Sequence, residues 1–439
     1  MNSEDFDLVV AAGAALTMNP GGEVLENALV CVRGGVIEKV EARVAGSPPP
    51  RAREAIDAPR GVVMPGFVNA HTHAPMTLFR GLADDLPLAE WLSGHIFPAE
   101  ARHLSPGTAR AGALLAAAEM LLAGVTSCCD GYFFEDAVAE ALEDAGMRAV
   151  AGHGVIDFPA PGAPESAKNV DVAVGYAEKR LARGGIVRPS IFCHSPYTCS
   201  AETLVRAKAQ ASRLGVLFQV HAAETRAERE ESLARHGKSP VAYLGGLGIL
   251  DPSTLVVHGV WTDAADHAIL ADSGAAVAVA AGSNMKLGSG APPLPRLLAA
   301  GVPVGLGTDG AASNNGLDLF REMRLVSRLF APEPGEIPPL SGLQVLRLAT
   351  SDAARAVGLG NETGTLSPGK RADFVVLDPF PGLALFPDPF SAIIHEAGAA
   401  LVRHVAVDGR VLVRDGRLTA LDLPAILADA GKIGRRISG

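Results

Sequence analysis

Val62-Val-Met-Pro-Gly-Phe-Val-Asn-Ala70, followed at once by His71-Thr72-His73, is an apolar run of strand length that ends on two imidazoles. The pattern recurs along the chain. Apolar runs at Val125–Cys129, Arg148–Gly152, Ser190–Cys193, Val216–Val220, Thr254–Val257, Ala275–Ala281 and Val302–Gly307 complete a set of eight. Between them lie helical stretches such as Pro106–Leu122, Glu135–Ala145, Ala201–Leu214 and Leu294–Ala300. Strands that alternate with helices build a parallel sheet, and eight such units predict closure into a (β/α)8 barrel. An open doubly wound sheet is the alternative arrangement of the same units.

Outside this centre the chain is β-rich at both ends. Phe6–Ala12, Ala28–Arg33 and Val36–Val40 are short strand patterns punctuated by Asn19-Pro20-Gly21-Gly22 and Gly34-Gly35. Gly46–Arg53 is Pro-rich and reads as a loop. After Lys370 the strand patterns return at Asp373–Leu377, His404–Val407 and Arg410–Arg414, with Asp408-Gly409 and Asp415-Gly416 as hairpin signals. A small sheet domain assembled from both termini is expected, with residues 1–62 and 368–439 flanking a barrel of residues 63–367.

The bulk numbers agree with a large folded core. Of 439 residues, 48% are hydrophobic and 20% charged. The net charge of −10 argues against nucleic acid as partner, since phosphate binding needs a basic surface. The five cysteines form no C-x-x-C pair and the first residues are acidic, so reduced thiols in a cytoplasmic protein are expected. The apolar stretch Ala109–Cys129 carries Arg110 and Glu119 and is broken by Gly124, which fits a helix running into a strand and not a membrane span.

The residues that follow the apolar runs carry the chemistry. They are His71 with His73, Asp130, His153, His194, His221, His258, Ser283 with Asn284, and Asp309, so half of the 12 histidines stand at these exits. The C-terminal ends of barrel strands meet at one mouth, where active sites are built. His71 and His73 are spaced i, i+2 and share one strand face, which suits two ligands on one ion. With His221 and Asp309 they give three imidazoles and a carboxylate, an open set of the catalytic kind. An ion so held acidifies water. Asp309 is placed to accept that water's proton as well as to bind the ion. Glu224, three residues past His221, is the candidate general acid and base, and His258 is the candidate partner for the attacking oxygen. Zinc is the expected occupant, with iron and manganese as ions the same set accepts.

These residues sit in stretches that resemble the amidohydrolase superfamily. The branch most similar is that of the 5-methylthioadenosine/S-adenosylhomocysteine deaminases, with s-triazine chlorohydrolases as relatives. The resemblance rests on PGFVNAHTHAPMTLFRGLADDLPLAEWL from Pro65, HSPYTCS at 194–200, VHAAET at 220–225, SNMKLGSG at 283–290, LGTDGAASNN at 306–315 and SPGKRADFVVLD at 367–378. It implies a distorted TIM barrel with a small β-sandwich formed from both termini, one divalent metal on the four ligands, and Glu224 and His258 as catalytic partners. It further implies Glu100 on ribose hydroxyls, His194 on a purine ring nitrogen and Trp91 against the nucleoside. Relatives of this kind are commonly homo-oligomers, and a homo-oligomer acting on a small molecule is expected.

Two positions depart from the branch pattern. His153 stands where homocysteine-binding members carry an arginine, and Val279 where the pattern has a histidine before Ser-Asn. A carboxylate-bearing substrate loses a bidentate partner by the first change. The expected activity is therefore hydrolytic deamination of an adenine-type nucleoside such as methylthioadenosine or adenosine, in preference to S-adenosylhomocysteine. His153 would then line the substrate site. The competing readings are hydrolysis of another amino-heterocycle (s-triazine, pterin, guanine or a cytosine-like base) and a scaffold that has lost its chemistry. The zinc deaminases built on P-C-x-x-C are excluded, because the chain has no such motif.

Overall fold

The computed structural model describes residues 6–44, 47–329 and 339–438. Its strands are β1 (Phe6–Leu16), β2 (Val24–Arg33), β3 (Val36–Ala42), β4 (Ala52–Pro65), β5 (Phe67–Thr72), β6 (Val125–Tyr132), β7 (Arg148–Val155) and β8 (Val187–Cys193). They continue with β9 (Leu217–Ala222), β10 (Thr254–His258), β11 (Ala276–Val279), β12 (Val304–Leu306), β13 (Phe374–Leu377), β14 (Val402–Val407), β15 (Arg410–Arg414) and β16 (Arg417–Leu418).

β5 to β12 hydrogen-bond in sequence order, and every pair between them is parallel. The ring closes where the amides of Thr308 and Asp309 donate to His71 O over 3.1 and 3.0 Å. Gly307 makes that seam possible: a Cβ there would lie 2.7 Å from His71 N and 2.9 Å from His71 O. The sequence expectation of a barrel over an open sheet holds. Helices Pro106–Leu122 and Ala201–Leu214 fall on their expected spans, each opened by a serine that accepts a first-turn amide.

Small residues let the barrel close tightly. Val68, Ala70, Cys129, Val150, Leu255, Val257 and Ala278 share an interior cluster with Ala353, Ala354 and Val357. The last three belong to or adjoin the helix Ser351–Ala356. Gly305 sits close to it, since a Cβ there would meet Ala353 Cα at 2.9 Å. That helix blocks the N-terminal end and leaves the C-terminal mouth as the open one.

The run Val62–Ala70 is two strands and not one. Val62–Pro65 ends β4 in the terminal sheet and Phe67 begins β5 in the barrel, with Gly66 between them. A side chain at Gly66 would strike Thr126, whose Cγ2 is 2.1 Å from the ideal Cβ position. Periodicity could not show this break, because both halves are buried. The Pro-rich loop expected at Gly46–Arg53 begins at Gly46, outside the described residues; 47–51 are irregular and β4 is already extended at Ala52.

The terminal strands form one continuous sheet in the order β16-β15-β14-β13-β4-β1-β2-β3. Leu8, Val10, Val30 and Ile37 from the N-terminal half share a core with Phe374, Val376 and Ala406 from the C-terminal half. Gly34-Gly35, Asp408-Gly409 and Asp415-Gly416 all have positive φ, which two-residue hairpin turns require. Arg148, at the start of β7, joins this sheet to the barrel floor: its guanidinium is 2.6 Å from Asp373 and 2.6 Å from Asp408. No helix among the described residues is long and apolar enough to cross a membrane.

Candidate metal centre and active site

β5 brings His71 to the mouth and His73 follows just past its end, β9 brings His221, and the turn after β12 brings Asp309. The four ligand atoms lie within 4.8 Å of one another, and all four residues are buried. His71 Nε2 is 3.3 Å from His73 Nε2 and 3.2 Å from His221 Nε2. Asp309 Oδ1 is 3.2 Å from His73 Nε2 and 3.5 Å from His71 Nε2.

The donor set fits a divalent cation. Neutral imidazole lone pairs repel at such spacings unless a cation lies between them. Ligand atoms about 2.0–2.1 Å from one tetrahedral ion stand about 3.4 Å apart. His73 is fixed from behind by Gly131 O, 2.5 Å from Nδ1, which leaves Nε2 for the centre. Asp309 is oriented through its other oxygen: Oδ2 accepts from Ser283 Oγ (2.6 Å) and Ser313 Oγ (2.8 Å). Its Oδ1 has no hydrogen-bond partner. Burial opposes ionisation of Asp309, but the close His71 and His73 imidazoles hold its carboxyl well below the usual carboxylate range.

Glu224 and His258 flank this cluster, with His258 Nε2 3.6 Å from Glu224 Oε2. Ser289 Oγ donates to Glu224 Oε1 over 3.2 Å. Burial, with Asp309 and Glu228 adding negative charge, pushes the Glu224 carboxyl well above its ordinary range, which favours its protonated form. Burial lowers the His258 imidazole to about 3, which keeps it neutral. Three residues of this rim, Ala223 (φ 55°), His258 (φ 80°) and Asp309 (φ 58°), lie in the left-handed region. Such backbone is strained for residues with a Cβ and clusters at functional sites.

Above the centre opens a cavity of about 660 Å³, counted out to its mouth, into which His73, His221, Glu224, His258 and Asp309 face. Trp91, Glu100 and His194 line it as well. Trp91 and Glu100 come from the helical segment Leu88–His103. Glu100 accepts from Tyr132 Oη, and burial, partly offset by that bond, raises its carboxyl to about 7. His194 Nδ1 is engaged by Thr198 Oγ1 (2.9 Å) and Ser195 Oγ (3.2 Å), which leaves Nε2 unengaged. Its imidazole is lowered by burial to about 3 and is neutral.

His153 is outside the cavity lining. β7 runs on to Val155, so side-chain alternation decides where it points. Gly154 lines the cavity, and a Cβ on Gly152 would meet Ser190, Phe192 and Gln219 inside the barrel. His153 therefore faces the helices, with Phe133 at 6.4 Å between ring centroids and Nε2 buried without a partner. Val279 is buried in β11 and does not line the cavity either. Asp130 stands inside β6, where Oδ1 accepts from Ala74 N over 2.6 Å and pins the turn after His73.

Several functional neighbours escaped sequence reasoning: Tyr132 on Glu100, Ser289 on Glu224, Ser313 on Asp309 and Glu228 beneath Glu224. Ser283 and Asn284 were visible as residues at a strand exit, but not as partners of Asp309 and His258. A T-x-x-E pattern at Thr225–Glu228 was the one sequence signal for Glu228.

Comparison with known proteins agrees with this geometry. Residues 62–412 match the amidohydrolase family. The chain is 41% identical over 441 residues, covering 100% of both chains, to a 5-methylthioadenosine/S-adenosylhomocysteine deaminase of Syntrophobacter fumaroxidans. It is 41% identical to a 5'-deoxyadenosine deaminase of Methanothermobacter thermautotrophicus over 89% of this chain and 91% of that one. The crystal structure of an adenosine deaminase from Xanthomonas campestris with bound zinc superposes with a TM-score of 0.95 at 34% identity, covering 99% of each chain.

Proposed function

The chain belongs to the amidohydrolase family, and on that premise we propose that it removes the exocyclic amine of an adenine nucleoside by hydrolysis, releasing ammonia and leaving a 6-oxo purine. The observation that carries this reading is the convergence of His71, His73, His221 and Asp309 beside Glu224 and His258 on the floor of one cavity. The ion we assign to the four ligands is zinc, in line with the zinc-bound relative. When bound it would supply Lewis acidity and an acidified water.

The protein groups then divide the proton traffic. Asp309, with Oδ1 toward the centre, takes the proton that the attacking water must lose. Glu224 gives its proton to the ring nitrogen beside the amine-bearing carbon, which draws electrons from that carbon and opens it to attack. His258 donates from Nε2 toward the oxygen as charge builds there. The proton held by Asp309 then passes to the amine, which leaves as ammonia as the C–N bond breaks, and the remaining hydroxyl proton returns to Glu224 as the C=O bond forms. Trp91 stacks on the nucleoside, Glu100 accepts from ribose hydroxyls and His194 holds a purine nitrogen.

We assign an uncharged 5′ group to the substrate. The cavity lining among the described residues holds Glu100, Glu224 and Asp309 but no lysine or arginine. The carboxylate of a homocysteine tail would enter with no lysine or arginine among these lining residues to meet it. The direct test is ammonia release from the purified protein with adenosine, 5′-deoxyadenosine and methylthioadenosine beside adenine and guanine as free bases. Turnover of a free base in place of every nucleoside would refute the reading.

A further inference from the structure

β9 ends at Ala222 and the helix Arg226–His236 begins four residues later, so Ala223 to Thr225 must turn the chain back across the mouth. The turn is made at Ala223, whose φ of 55° is one that an alanine adopts only under outside restraint. That restraint comes from Glu228, which is buried in the first turn of the following helix. Its Oε1 accepts the Ala223 amide over 2.8 Å and its Oε2 accepts the Glu224 amide over 2.7 Å. The Glu228 amide in turn donates to Thr225 Oγ1 over 3.1 Å. In an ordinary capping box the third helical residue reaches the cap residue's own amide. Here the carboxylate reaches one and two residues further back, to the left-handed residue and to the acid itself. On its other side the Ala223 carbonyl accepts from Trp261 N over 2.8 Å, so the peptide is gripped from both directions.

We infer that Glu228 is a positioning residue for the deamination: its carboxylate clamps the left-handed turn at Ala223 and thereby aims Glu224 into the cavity. Glu228 is absent from the cavity lining, so it acts through Glu224 and not on substrate. The inference rests on the reading of Glu224 as the proton donor. Two charge-assisted bonds from one carboxylate to adjacent amides fix both the direction and the rotation of the peptide between them.

Glu228→Gln keeps the shape but turns an amide N–H toward one of the two backbone donors. The expected result is a fall in kcat of about 10²-fold, with KM and bound metal per chain unchanged, because a displaced catalytic group costs rate before it costs binding. Adding Ala223→Gly, which removes the cost of the left-handed residue, should then return part of the lost kcat. A crystal structure of Glu228→Gln should show Ala223 outside the left-handed region and Glu224 withdrawn from Ser289. The inference is overturned if that structure superposes on the parent at Ala223 and Glu224. It is equally overturned if kcat is unchanged, if kcat falls only together with metal content, or if the glycine recovers nothing. Should the parent deaminate no nucleoside, the functional reading fails, and the conformation of Ala223 in the variant decides the inference by itself.

Discussion

Asn284 Nδ2 stands 3.0 Å from His258 Nδ1 and donates to it, which places the proton of the neutral imidazole on Nε2. That nitrogen is the one facing Glu224. The tautomer that the oxyanion role proposed for His258 requires is therefore set from behind, by a residue at the exit of β11.

Asn284→Asp preserves size and reverses the bond, because a carboxylate accepts where the amide donates. His258 would then carry its proton on Nδ1 and offer a lone pair at Nε2. A fall in kcat of about 10²–10³-fold with little change in KM is expected, the usual cost of one lost donor to an oxyanion. Steady-state kinetics on methylthioadenosine check it, and parental kcat would show that His258 does not donate.

Removal of the metal should abolish activity and lower stability together, because binding to the folded state alone stabilises it. Elemental analysis should give one ion per chain in the parent and a loss in His73→Ala. Dialysis against a chelator should lower the melting temperature, and zinc should restore both melting and turnover. A chelated protein that keeps full activity would remove the metal from the mechanism.

A cavity lining with Glu100, Glu224 and Asp309 and, among the described residues, no lysine or arginine predicts selectivity at the 5′ end of the proposed substrate. S-adenosylhomocysteine should show a kcat/KM at least about 30-fold below that of methylthioadenosine, the lower end of what an unpaired buried charge costs. Glu100→Gln should raise KM for ribosides, since the ribose hydroxyls lose a carboxylate acceptor. Equal kcat/KM for the two substrates would show that a cation reaches the tail from outside the described lining.

His153 gives a pH-dependent stability. Its imidazole is lowered from 6.5 to about 4 by burial, with Asp136 opposing weakly. As pH falls below 6.5 the unfolded chain binds a proton there that the folded chain refuses until about 4, so stability present above 6.5 drains away across that window. The full loss is of order 3 kcal/mol at about 1.4 kcal/mol per pH unit. His153→Leu should flatten that acid limb in urea titrations at pH 7, 6 and 5. An unaltered pH slope would show that His153 is protonated or solvated in the folded state.

The barrel and its four ligands were legible because both follow from short-range rules. Alternation placed His71 and His73 together, and a common mouth gathered His221 and Asp309 without any knowledge of distance. His153 misled for the same local reason. β7 runs three residues past its apolar run, so His153 lies within the strand and not at its exit, and nothing within Arg148–Gly152 announces that length. Gly66 hid the exchange between sheets because buried strands on either side read alike. Tyr132 with Glu100 and Asn284 with His258 could not be paired from sequence, since each contact joins elements that only the closed ring brings side by side.

β4 is paired on one side by β1, its near neighbour in the chain, and on the other by β13, with Pro65 opposite Phe374. During synthesis the N-terminal strands and the whole barrel emerge while that second edge of β4 still lacks its mate. An unprotected apolar edge invites pairing with other chains. The last strands are thus a closing seal and not an appendage. A chain ended before Phe374 is expected to pellet on centrifugation, and a well-behaved barrel recovered from such a chain would count against that role.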